Sequence, residues 1–324
     1  MTDIFEKFNS LNVLIIGDVM IDSYIWGKID RISPEAPVPV VRVTKKENRL
    51  GGAANVALNI QSLGANPYIC AVIGNDPDGE NFLSLLKTQG LSDQGIIKIK
   101  SRPTTVKTRI IAHNQQIARV DAETERNLSN SNTLLVLNKI KQIITDHRID
   151  AIIFEDYDKG LITEDLIGNI VQLAQKMGII TVVDPKKRNF HAYKGVQLFK
   201  PNLKELKEGL KIDLDPSNME QVEQAVDRLK KQLGAKTVML TLSENGVYVS
   251  SEKGNMHIHA HKRDIVDVSG AGDTVIATAA LCMAAGLNEF KTAEIANLAG
   301  GLVCEHVGVV PIDKARLLKE SKAL

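Results

Sequence analysis

From about residue 151 the chain alternates unbroken apolar runs with longer amphipathic stretches, and this alternation limits the fold more than any other feature. The runs at 151–154, 179–183, 198–199 and 238–242 are apolar almost throughout, and between them lie helix-like segments at 162–177, 203–210 and 219–233. A strand that is apolar on both faces must be covered on both, and a helix between successive strands is the connection that parallel pairing requires. The first half adds an apolar strand at 12–17, a helix at 51–63 and a strand at 68–74. The sequence therefore predicts an α/β fold, a doubly wound sheet covered by helices, in a single domain over residues 1–324.

Two patches break this rhythm. Residues 18–49 and 98–121 are rich in β-prone residues, and 33–39 (SPEAPVP) holds three of the chain's 10 prolines. Proline donates nothing to a ladder, so this stretch reads as loop or edge strand. At 106–121, Lys107, Arg109 and His113 fall on one side of a strand by its period of two. These patches are expected to form a small β-lid inserted into the sheet domain.

Composition narrows the partners. Forty Lys and Arg against 39 Asp and Glu leave a formal charge of +1, which argues against a nucleic-acid or membrane-surface binder. The cysteines, Cys70, Cys282 and Cys304, form no C-x-x-C pair, so they read as small core residues, and a reducing, cytoplasmic location is expected. Residues 1–10 lack the apolar region of a signal peptide, and the most apolar stretch, 275–287, is shorter than the roughly 20 residues a membrane helix needs.

The segment DVSGAGDT, Asp267 to Thr274, follows a β-like stretch at 256–266 and opens an apolar helix. Small residues at a helix start leave the backbone amides of Gly270, Ala271 and Gly272 free to face an anion at the positive end of the helix dipole. Asp273 beside them either complements the dipole or takes a proton from a hydroxyl attacking a bound phosphoryl group. A dinucleotide fingerprint is disfavoured, because Val275 stands where a small residue is needed and the motif lies late in the chain. A second segment, GGAANVA from Gly51 to Ala57, also enters a helix. Paired glycines admit a ligand to the backbone, and Asn55 offers both a donor and an acceptor; a tight helix entrance with an incidental asparagine is the plainer alternative.

These two motifs, in this order, resemble the signatures of the ribokinase-like (PfkB) family of sugar and nucleoside kinases, GG-x-x-x-N and D-x-x-GAGD. The resemblance runs from the first strand to about Pro311. It implies a sheet domain with a β-lid, ATP and Mg²⁺ as cofactors, and transfer of a phosphoryl group to an alcohol. Asp273 would be the base, with Gly270, Ala271 and Gly272 stabilising the transferred group. Asp22, Gly51, Gly52 and Asn55 would hold the sugar. Asn202 and Glu205, in KPNLKE, would meet the nucleotide phosphates and Mg²⁺ through water. Thr241, Ser243 and Gly246 resemble the turn at the nucleotide, with Ser243 in place of a glycine. Asp267 and Ser269 occupy positions associated with a monovalent cation such as K⁺.

The segments from Gly17 to Gly27, Arg31 to Val40 and Lys107 to Asp121 further resemble the bacterial heptose 7-phosphate kinases of lipopolysaccharide precursor synthesis, as do EDYDKG (Glu155 to Gly160) and DPKKR (Asp184 to Arg188). That subgroup phosphorylates C1 of D-glycero-D-manno-heptose 7-phosphate, and its members are often fused to a nucleotidyltransferase. The non-reacting phosphate needs cations, and Lys107, Arg109 and Arg119 on the lid, with Gln116 beside them, are the candidates. Solvated charges on an edge strand are the alternative. Asp156 and Lys159 follow a sheet strand where open α/β sheets place ligands, and Lys186 is positioned to meet ATP phosphates. Glu35 is either a cap or a sugar contact. His257, His259 and His261 share a strand face, read as solvated. A homodimer through the lid is expected from its open edges. The remaining alternatives are a kinase for an unphosphorylated sugar or nucleoside, and a catalytically silent sugar-phosphate sensor.

Overall fold

The computed structural model describes every residue except Asn114, which belongs to the lid motif from Lys107 to Asp121 and lies outside the described residues. Its strands are β1 (Asn12–Gly17), β2 (Val19–Ile32), β3 (Pro39–Gly52), β4 (Asn66–Gly74), β5 (Ile96–Ile99), β6 (Val106–Ala112), β7 (Gln115–Ala122), β8 (Ala151–Glu155), β9 (Ile180–Asp184), β10 (Leu198–Phe199), β11 (Thr237–Thr241), β12 (Val247–Ser251) and β13 (Gly254–Ile258). Nine of them form one sheet in the order β13-β12-β11-β10-β9-β8-β1-β4-β5. The pairs from β11 through to β5 are parallel, and only β12 and β13 are added antiparallel. Four central residues of β1, Val13 to Ile16, are completely buried, as strands covered on both faces must be.

Strand β1 is the switch point. The chain leaves it toward β4 and β5 on one side and later fills β8 to β11 on the other, so the connections diverge above its C-terminal end. Open α/β sheets bind ligands in the crevice made there. Gly17, Glu155 and Asp184 stand side by side at that rim, in register across β1, β8 and β9. A Cβ at Gly17 would lie 2.2 Å from the Glu155 carbonyl oxygen, so only glycine allows the close pairing. Across the crevice, the Ala53–Ser62 and Ala271–Ala284 helices pack on each other. The second is buried from Asp273 to Cys282, which explains why its sequence is apolar all round and not amphipathic.

The other four strands make a separate sheet, β3-β2-β6-β7. The chain breaks between β2 and β3 at the proline-rich residues 33–38, as proline's missing donor requires. Two boundaries differ from the sequence expectation. The first lid segment continues to Gly52, delivering the glycine pair directly into the helix. The second does not begin at 98, because β5 pairs with β4 and closes the edge of the large sheet. The accessible surface is 14904 Å², against about 13,000 Å² expected for a compact chain of this mass. A two-faced sheet standing off the body accounts for such an excess. Among the described residues no helix is long and apolar enough to cross a membrane.

Candidate active site

A cavity of about 760 Å³ opens between the C-terminal rim of the sheet and the start of the Ala271–Ala284 helix. The sequence builds that helix start in an unusual way. Gly270 caps it in the left-handed region, φ 78°, which a side chain rarely adopts. A Cβ at Gly272 would meet nothing nearer than Asp184 Oδ2 at 3.7 Å and Lys200 Nζ at 3.8 Å, so this glycine leaves open space facing that pair. The amide expected from Ala271 is not free. It donates to the Val268 carbonyl at 3.3 Å. The first backbone bond of the helix runs from Thr274 N–H to Gly270 O, and the amides of Gly270, Gly272 and Asp273 have no protein acceptor among the described residues. Of the three amides expected to face an anion, Gly270 and Gly272 are thus without an acceptor, and Asp273 stands in place of Ala271.

Asp273 is buried and gripped on both oxygens. Asn55 Nδ2 donates to Oδ2 at 2.6 Å, and Tyr157 Oη donates to Oδ1 at 3.0 Å. Burial, helped by the charge of Asp184, raises its pKa to about 6 against the pull of those two donors. The dipole-complement alternative does not account for this: a carboxylate placed for the dipole alone needs no paired clamp from two other elements. Asn55 itself keeps Oδ1 buried without a partner, an acceptor available to a ligand hydroxyl. Tyr157 carries no individual role in the sequence reading; its signals there are its place inside the EDYDKG segment and two residues beyond the end of β8.

Around the hole stand buried charges. Lys200 Nζ lies 2.7 Å from Asp184 Oδ2, and both residues are buried. Glu155, Asp184 and Asp273 each offer a carboxylate oxygen within 4.8 Å of the others, and Glu155 Oε2 has no hydrogen-bond partner. Burial first, then the neighbouring Asp184 and Asp273, push the Glu155 pKa well above the usual carboxylate range. Three crowded carboxylates with an orphaned oxygen fit a divalent cation, whose charge would relieve their repulsion. Lys186 Nζ sits 2.5 Å from Glu205 Oε1. Burial works to deprotonate it, but Asp184 and Glu205 outweigh that and raise its pKa.

The Asn202–Glu205 spacing has a local cause. Asn202 Oδ1 accepts from Glu205 N and Glu205 Oε2 accepts from Asn202 N, both at 2.9 Å, a complete capping box for the Leu203–Leu210 helix. Thr241, Ser243 and Gly246 line the same cavity. Ser243 holds φ 53°, left-handed, which explains why a glycine would suit this position. Thus Lys186, Asn202, Thr241, Ser243, Gly246, Gly270, Ala271, Gly272 and Asp273 surround one cavity.

On the lid side, Asp22 is buried and bonded to Arg109 Nη1 at 2.5 Å. Gly51 makes this possible, since a Cβ there would meet Asp22 Oδ2 at 2.2 Å. Gly52, at φ 60°, turns the chain into the helix that carries Asn55.

Other expected ligand residues are engaged elsewhere. Lys107 Nζ pairs with Glu123 at 2.9 Å and Asp121 at 3.3 Å, Lys159 Nζ with Glu123 at 2.8 Å and Glu125 at 3.3 Å, and Arg119 with Asp121 at 3.0 Å. Arg188 also lies 3.8 Å from Glu125, so four cations face three carboxylates in this network. Gln116 is exposed on β7. Asp156 is buried and accepts from Asn189 Nδ2, Tyr193 Oη and Asp158 N, and burial raises its pKa to about 6. Asp267 takes Ser269 N at 2.9 Å and Gly308 N at 2.8 Å, tying the two loops together. Glu35 is exposed, and its N–H donates to the Ser33 hydroxyl at 3.2 Å; among the described residues its carboxylate accepts nothing. The His257 and His259 rings touch at 4.4 Å between centroids, and His257 bonds the Asn245 carbonyl. The three cysteines are free and buried.

Comparison with known proteins agrees with this geometry. The family model described as pfkB family carbohydrate kinase matches residues 10–315. The chain is 41% identical over 308 residues to the Bifunctional protein HldE of Methylobacillus flagellatus, covering 95% of this chain and 62% of that protein. It is 39% identical over 297 residues to the protein of the same name from Helicobacter pylori, covering 91% and 63%. The chain thus spans less than two thirds of the length of these curated relatives. Among solved structures, phosphofructokinase-2 from Escherichia coli in complex with potassium superposes with a TM-score of 0.79 at 19% identity, over 97% of this chain and 98% of that one. Ribokinase from Arabidopsis thaliana, complexed with ribose and ATP, gives 0.74 at 18% identity over 96% and 99%. At such identities these likenesses speak for the fold alone.

Proposed function

From the premise that this chain belongs to the pfkB carbohydrate kinase family, and is therefore a sugar kinase that uses ATP with a divalent metal, we propose that it phosphorylates the C1 hydroxyl of D-glycero-D-manno-heptose 7-phosphate to the 1,7-bisphosphate. The lid motifs resembling heptose 7-phosphate kinases support this acceptor, and the HldE relatives agree with it. The observation that carries the chemistry is the clamp on Asp273 beside unpartnered amides.

Asp22 and Asn55 orient the sugar from the lid side and the helix side. The Asp273 carboxylate takes the proton of the reacting hydroxyl as its oxygen bonds to the γ-phosphorus. The bond from that phosphorus to the β-γ bridging oxygen breaks, and ADP departs. The amides of Gly270, Gly272 and Asp273 stabilise charge on the transferred group without reorganising. Lys186 and Lys200 neutralise the nucleotide phosphates from the other side. Mg²⁺ supplies charge neutralisation when bound, and Glu205, through water, with Asp184 and Glu155 would hold it. K⁺ near Asp267 and Ser269, a homodimer through the lid and a cytoplasmic location belong to the same reading.

The pairing of Lys107 and Arg119 with lid carboxylates favours a second reading, in which the acceptor is an unphosphorylated sugar or nucleoside. A coupled ADP-release assay across phosphorylated and plain sugars separates the two. Efficient turnover of heptose 7-phosphate alone is expected, and equal turnover of the unphosphorylated sugar would favour the alternative. Binding of sugar phosphate without ADP release would instead point to a silent sensor.

A further inference from the structure

We propose that Asp18 is the positioning residue for the clamp on Asp273. Its carboxylate fastens the loop that carries Tyr157, and its carbonyl fastens the helix start that carries Asn55. This rests on the reading that Asp273 is the base.

Asp18 follows β1 directly, at the rim where the connections diverge. Its N–H donates to the Glu155 carbonyl at 3.2 Å, so it lies against the end of β8. The residue is buried. Its Oδ2 accepts from Tyr157 N and Lys159 N, both at 3.0 Å, and its Oδ1 accepts from Leu161 N at 3.4 Å. Alternate amides of this loop thus converge on one carboxylate, while the Asp158 amide goes to Asp156 Oδ1 at 2.9 Å. Arg102 Nη2 donates to the Lys159 carbonyl, and its charge offsets that of Asp18.

The loop needs such an anchor. Asp158, at φ 56°, and Gly160, at φ 86°, are both left-handed. A residue other than glycine holds that conformation only where its surroundings impose it. Tyr157 opens this loop, and its Oη reaches Asp273 Oδ1 at 3.0 Å. A phenol hydroxyl sits at the end of a rigid ring with two rotatable bonds behind it, so it follows the backbone that carries it.

The other end of Asp18 works on the opposite oxygen of the base. Its carbonyl accepts at 3.0 Å from the N–H of Ala53, the first residue of the Ala53–Ser62 helix. A Cβ on Gly52 would meet that carbonyl oxygen at 2.4 Å, so the second glycine of the pair makes the bond possible. Two residues on, Asn55 Nδ2 donates to Asp273 Oδ2. One residue therefore sets the spacing of the two donors. Replacing its side chain disturbs the Tyr157 arm and spares the Asn55 arm, because the carbonyl belongs to the backbone.

The test measures kcat and KM with Mg-ATP and the sugar that wild type turns over fastest. The variants are Asp18→Ala and Asp18→Asn, each alone and combined with Tyr157→Phe, and Asp273→Asn. Thermal melting of each reports folding. D18A should lower kcat about ten- to a hundredfold, the scale of a lost hydrogen bond to a charged group, with both KM values within about twofold. D18N keeps one acceptor oxygen but turns an N–H toward the loop, and should lose about three- to tenfold. With Tyr157→Phe present, both losses should shrink to about twofold or less, because the side chain acts through a hydroxyl that is gone. Losses of equal size in both backgrounds would make Asp18 structural only. A kcat within about twofold of wild type in a folded D18A or D18N would also overturn the proposal. If D18A does not fold, D18N decides. Near-normal kcat in D273N, or no ADP release by wild type with any sugar, would remove the base reading and this inference with it. Lost turnover in D273N beside an unaffected D18N would remove the inference alone.

Discussion

A single carboxyl sets the chemistry of this site. Asp273 must be ionised to accept a proton, and its pKa of about 6 lies just below neutral pH. We therefore expect kcat/KM to fall as pH drops through about 6, roughly tenfold per unit below it. Tyr157→Phe removes a donor that lowers this pKa, so the acidic limb should move to higher pH; an unmoved limb would show that the phenol does not tune the base. Asp273→Asn should cost about 10²–10⁴ in kcat with ATP affinity little changed, read from steady-state rates and nucleotide titration. The same shift affects stability. A raised carboxyl pKa favours the folded state most when protonated, below the unfolded value of 3.8, and that contribution is lost as pH rises through about 6.

At the scale of elements, the nucleotide side depends on helix starts. The capping box of Asn202 and Glu205 fixes the Leu203–Leu210 helix and at the same time aims Glu205 Oε1 at Lys186. Asn202→Ala should cost about 1 kcal/mol in urea unfolding, the usual loss of a cap. It should also raise the KM for ATP, because Glu205 and Lys186 lose their fixed position. A stability loss with unchanged ATP kinetics would make the box purely structural. The Ala271–Ala284 helix follows the same logic without a side-chain cap. Gly270 bends the chain, the Ala271 amide closes the bend on Val268, and the next amides are left for a ligand.

At the scale of the molecule, the lid delivers Asp22 and Arg109 to a crevice that the large sheet creates. Its other residues include Val43, 47% exposed, and Val120, 56% exposed, and both outer strands, β3 and β7, have an open edge. Such a surface wants a partner, and a second copy would hold the lid in place. Val120→Lys is expected to shift sedimentation from dimer to monomer and to raise the acceptor KM more than the ATP KM. Wild type sedimenting as a monomer would end the lid-dimer proposal.

Local patterning was enough for the strands of the large sheet, several helices and the presence of a second small sheet, though not for the limits of that sheet or for every helix start. The 203–210 and 219–233 helices and the 12–17 strand have the predicted bounds, because periodicity and caps act between residues a few positions apart. For the same reason the glycines and Asp273 were legible, since their motifs are short and local. Charge pairing was decided only by the tertiary structure. Lys107 and Arg109 are indistinguishable by strand alternation, yet one is paired with Glu123 and Asp121 and the other faces Asp22 and Tyr24. Tyr157 and Lys200 gained their places in the same way. A side chain's net charge depends on which partners the fold brings within a few ångströms, and register between β2 and β6, some 85 residues apart, is invisible to any local pattern.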